Sequence, residues 1–133
     1  MKFKPLLLSL IALLAIPALA DDTELGKLMD ELNDHYKSIR REDDPAKGAV
    51  SAREAQKLAA QCLLLNPDMV AKMPEGPAKT NALAVYRQMM GESFVILAKI
   101  EQAYLARDMD QAKALYDELK ALRKEGHNKF VEE

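Results

Sequence analysis

"TELGKLMDELNDHYKSIRR", residues 23 to 41, decides the fold. Leu25, Leu28, Met29, Leu32, Tyr36 and Ile39 recur at steps of three and four. On an α-helix that spacing gathers them into one apolar stripe and leaves the charged residues elsewhere. A half-buried strand would need alternation, which this stretch lacks. Asp22 or Thr23 stands where a cap belongs, acids gather in the first turn, and Asp43-Asp44-Pro45 breaks the pattern. A helix with one apolar stripe must bury it, so the rest of the chain has to supply partners.

Three further helices answer that need. Val, Ile and Thr are sparse in the chain, while the best helix formers are abundant. The second helix is predicted from about 51 to 65, where Ser51-Ala52-Arg53-Glu54 forms a capping box and Ala55, Leu58, Ala59, Cys62 and Leu65 form the stripe. A connection over 66–79, with Pro67, Pro74, Gly76 and Pro77, is too rich in proline to be regular throughout. The third helix is predicted over 80–106, with Leu83, Tyr86, Met90, Phe94, Leu97 and Tyr104 on one face. The fourth runs from about 108 to 130, capped by Asp108 and carrying Ala112, Leu115, Leu119, Leu122 and Phe130 inward. Four amphipathic helices with mostly short links predict an all-α, antiparallel up-down-up-down four-helix bundle.

The first twenty residues read differently. Lys2 and Lys4 precede an apolar run from Leu6 to Ile16, then Pro17 and Ala18-Leu19-Ala20. That is the pattern of a secretory signal peptide cleaved after Ala20, with an apolar run too short to span a bilayer. Residues 21–133 then form one small domain, and the expected compartment is a bacterial periplasm. The formal net charge of −2 becomes more negative once Lys2 and Lys4 are gone. An acidic balance argues against nucleic acid and against an anionic membrane surface. The single cysteine, Cys62, excludes an internal disulfide and reads as a small core hydrophobe.

Neither a nucleophile paired with a base nor a glycine-rich phosphate loop is apparent, so no enzyme is indicated. Leu32 precedes His35 by three, and Lys124 precedes His127, so the Glu-x-x-His signature of di-iron bundles is absent. Each histidine has a plain reading: His35 as surface, His127 as a residue favoured by the helix dipole in a last turn. Met29 alone reads as core filler. Helices one and four of an up-down bundle are antiparallel neighbours, however. Met29 near the start of one and His127 near the end of the other then fall at the same end of the bundle. A thioether and an imidazole facing each other there are a donor pair for one haem iron, leaving it no open position.

Three stretches carry a resemblance to a known family. "LMDELNDHYK", residues 28 to 37, and "DELKALRKEGHNKF", residues 117 to 130, resemble the first and last helices of the periplasmic b-type four-helix cytochromes, the cytochrome b562 family. The separation of Tyr86 from His127 is similar to that family's spacing between a pocket aromatic and its ligand. The resemblance implies Met29 and His127 as axial ligands. It places Leu32, Tyr36, Tyr86, Met90, Leu119 and Arg123 around the haem, with Tyr86 and Met90 where the family has phenylalanines. It implies one non-covalent haem b per chain, an electron carrier that exchanges electrons with an unidentified periplasmic redox partner, and a monomer. Covalent attachment is excluded, because Arg123-Lys124-Glu125-Gly126-His127 stands where a Cys-x-x-Cys-His would be needed. Two other readings stay open: a haem-free bundle acting as a binding or stress-response module, and a copper site using methionines and His35.

Overall fold

The computed structural model describes residues 23–131. The predicted signal peptide lies outside the described residues. Helix α1, Glu24–Arg41, starts at Thr23, whose side chain accepts the Gly26 amide at 3.0 Å. Its stripe buries Leu32, Tyr36 and Ile39.

Helix α2, Pro45–Leu63, begins six residues earlier than the capping box predicts. Asp44 is the real cap, accepting from the amides of Ala46 at 2.9 Å and Lys47 at 3.3 Å. Pro45 follows at the first helical position, where its missing N–H removes no helical bond. Ser51 and Glu54 therefore lie inside the helix. The Ser51 hydroxyl meets that of Ser38 on α1 at 3.1 Å, and Glu54 pairs with Lys57 at 2.7 Å. Gly48 weakens the early turns as seen from the sequence, but packing requires it. The Tyr104 ring lies 2.5 Å from where a Cβ would stand, so any side chain at Gly48 would displace the ring.

The connection, expected over 66–79, ends at 76 because the next long helix starts three residues early, and it contains a single helical turn, α3, Asp68–Ala71, with Val70 buried. Helix α4, Pro77–Leu105, follows Gly76, whose φ of 148° favours glycine. The predicted face of α4 needs one correction. Phe94 is 38% exposed, and Ser93 takes the buried place instead. The inward positions are Tyr86, Met90, Ser93, Leu97, Ile100 and Tyr104, alternating steps of three and four, and Phe94 drifts off that seam. Ser93 tolerates burial because its hydroxyl donates to the Met89 carbonyl at 2.9 Å.

Arg107, at φ 58°, turns the chain, and the Asp108 amide reaches back to the Ala103 carbonyl at 2.9 Å. Helix α5, Met109–Phe130, is capped as predicted by Asp108, which accepts the Gln111 amide at 3.1 Å.

Helices α1, α2, α4 and α5 pack as a four-helix bundle, with α3 as a one-turn appendage on α4. Leu97, Ile100, Leu119 and Cys62 lie at its centre. The buried tyrosines direct their hydroxyls to backbone carbonyls: Tyr86 to Cys62 at 2.6 Å and Tyr104 to Ile39 at 2.9 Å. Helix α2 packs broadly on α4, whereas α1 and α5 share the thinnest of the contacts between major neighbours. Among the described residues, no helix is long and apolar enough to cross a membrane.

Candidate functional site

The thin α1–α5 seam is where the candidate ligands stand. The two helices run antiparallel. Ile39 and Arg40, late in α1, line a cleft with Ala112, Lys113 and Tyr116, early in α5. Further along, the Arg123 guanidinium lies 5.9 Å from the centre of the Tyr36 ring. Met29 is about two turns beyond Tyr36 along α1, and His127 about one turn beyond Arg123 along α5. The register thus brings Met29 level, to within about a turn, with the last turns of α5.

Burial falls away along both stripes toward that same end. On α1, Ile39, Tyr36 and Leu32 are buried, while Met29, Leu28 and Leu25 are half-buried. On α5, Ala112, Leu115 and Leu119 are buried, while Leu122, Gly126 and Phe130 are half-buried. At this end of the α1–α5 seam, here termed its mouth, apolar side chains on both helices stay half-covered, surface that an apolar occupant would bury. Gly126 keeps α5 close to α4 there, with the Met89 methyl 3.4 Å from where a Cβ would stand. The Tyr86 and Phe130 rings meet edge to face at 5.6 Å and close the α4 side.

Five of the residues predicted around the site belong to one buried cluster: Leu32, Tyr36, Tyr86, Met90 and Leu119. Met29 packs against that cluster from its edge. Arg123 is exposed and stacks on Tyr36. His127 is exposed on the last turns of α5, and its ring makes no hydrogen bond or ion pair among the described residues. Burial pushes the Tyr36 hydroxyl well above the ordinary phenol range, opposed by the positive charge of Arg123. Tyr36 is therefore a neutral wall of the seam.

A family model described as Cytochrome b562 matches residues 24–131. The chain belongs to the cytochrome b562 family. The match runs from the first residue of α1 to one residue beyond α5, so all the described helices fall within it. No curated protein matches the chain. The cytochrome b562 family is one of b-type haem proteins that carry electrons, and that character comes with membership.

The residues present fit such a group. Haem is a large, flat, mostly apolar disc, and both α1 and α5 carry half-covered apolar side chains at this end. A thioether on one helix and an unengaged imidazole on the other are suitable iron donors. Among the described residues no cluster of three or more histidines, cysteines, aspartates or glutamates forms. The copper reading, which invoked His35, thus gains no carboxylate cluster to lean on. One residue escaped the sequence reading. Asn33 lies one turn from Met29, and its Oδ1 is buried with no hydrogen-bond partner among the described residues. Its spacing, four from Met29 and three from Tyr36, was the available signal.

Proposed function

We propose that this protein is an exported electron carrier in which Met29 and His127 would hold the iron of one b-type haem between α1 and α5. The supporting observation is the shared loss of burial along the α1 and α5 stripes at the end where these two residues stand. Held by a thioether and an imidazole, haem would supply reversible one-electron chemistry at its iron, which suits electron transfer rather than turnover of a substrate. Met29 would supply its sulfur from the edge of the core, and His127 would supply a ring nitrogen engaged by no other partner among the described residues. Leu32, Tyr36, Tyr86, Met90 and Leu119 exclude water from the inner part of the site. Arg123 caps the Tyr36 ring at its flank. The leader over residues 1–20 would deliver the chain to the periplasm, where an electron-exchanging partner protein completes the function.

Hemin titration of the purified protein tests this directly. The expected product shows sharp low-spin bands on reduction. Met29→Ala and His127→Ala are each expected to replace those bands with a high-spin spectrum. Retention of the wild-type spectrum in either variant overturns the ligand assignment. The second reading, a haem-free binding bundle, draws on the exposure of His127. It predicts no saturable uptake of hemin at all.

A further inference from the structure

Asn33 Oδ1 is a buried acceptor with no partner, and such atoms are rare because each forfeits the hydrogen bond it had in water. Its neighbourhood contains a matching donor. Tyr36, three residues on, lies on the same flank of α1, and over its ring stands Arg123 of α5. Arg123 has five N–H donors, and it makes no hydrogen bond or ion pair among the described residues. An unsatisfied acceptor on α1, three residues from Tyr36, and an uncommitted donor on α5, 5.9 Å from the Tyr36 ring, therefore share the neighbourhood of one side chain at the thinnest seam of the bundle.

We propose that Asn33 and Arg123 form a clasp across the α1–α5 seam in the haem-loaded protein, with the Arg123 guanidinium donating to Asn33 Oδ1. The proposal rests on haem occupying the seam between Met29 and His127. Both clasp residues stand on the inner side of that ligand pair, deeper in the bundle. Asn33 Oδ1 is already out of contact with solvent, so only a protein donor can relieve the cost of leaving it unpaired. The guanidinium already stands over Tyr36, which lies on the same flank of α1 as Asn33. The clasp then ties α1 to α5 where few side chains do so, and it retains haem without touching iron. Asn33 and Arg123 are positioning residues in this arrangement.

The test is the rate of haem transfer from the loaded protein to excess haem-free globin, followed by absorbance. Asn33→Ala and Arg123→Ala are each expected to release haem about tenfold faster, the scale of one hydrogen bond to a charged donor. The double variant should release it no faster than the worse single. Asn33→Asp should restore slow release when Arg123 is present and fail to do so in an Arg123→Ala background. Single effects that multiply in the double variant overturn the clasp while leaving the ligand assignment intact. A wild-type protein that takes up no haem overturns both. The haem-free protein gives an independent readout. Asn33→Leu removes the orphaned oxygen, so its melting temperature should rise while its loaded form loses haem faster. A lower melting temperature together with unchanged haem release overturns the proposal.

Discussion

At the scale of single residues, the interior is set by how polar groups are satisfied in it. Tyr86 and Tyr104 bury their rings because their hydroxyls reach backbone carbonyls, and Ser93 does so by bonding back along its own helix. Cys62 is fully buried, and burial pushes its thiol up to about 11 from an ordinary 9.0. The unfolded chain therefore releases this proton at lower pH than the folded one. Between about pH 9 and 11 the folded state binds more protons, so stability falls as pH rises. Tyr36 and Tyr86, both raised by burial, extend the loss to higher pH. Thermal melts from pH 8 to 11 should show a progressive decline, made shallower by Cys62→Ala. A flat profile would contradict the burial of these groups as neutral species.

At the scale of the element, two start signals compete for α2, and the outcome is specific. Asp44 makes two cap hydrogen bonds, whereas Ser51 sits in the second turn and bonds to Ser38. Asp44→Ala should cost about 1 kcal/mol, typical of losing a helix cap. Ser51→Ala should cost about 0.5 kcal/mol, the low end for a part-exposed hydrogen bond. Urea unfolding of the two variants measures the difference, and a reversed order would mean that α2 starts at Ser51 in solution. The capping box was legible and misleading because Ser-x-x-Glu is equally compatible with a helix interior. Tyr104, distant in sequence, is what makes Gly48 an asset to the extended helix.

At the scale of the whole molecule, the bundle has one well-packed body and one looser seam. Helix α2 packs broadly against α4 through small residues, including Ala52, Ala55, Ala59 and Cys62. The α1–α5 seam is the complement of that arrangement, thin and apolar toward one end. The haem-free protein is accordingly expected to stay helical, with hemin raising its melting temperature by mass action. At free hemin a hundredfold above the dissociation constant, the gain is about 2.7 kcal/mol. Far-ultraviolet circular dichroism with and without hemin measures both. A haem-free chain without helical signal would mean that the seam carries the fold instead of opening within it.

The four-helix architecture was legible because each long helix declares an apolar stripe at helical spacing. The caps at Thr23 and Asp108 were legible because capping is local chemistry. Met29 and His127 were nominated as a pair by antiparallel topology and by the resemblance of "LMDELNDHYK" and "DELKALRKEGHNKF" to one family, a proposal that the hemin titration tests. The one-turn α3, the true start of α2 and the exchange of Phe94 for Ser93 needed tertiary structure. Each depends on which distant side chain fills the space beside it. The half-covered mouth and the orphaned Asn33 oxygen depend on it most of all. Spacing determines which residues share a helix face, but only packing decides how much of that face is covered and which polar atoms are left without partners.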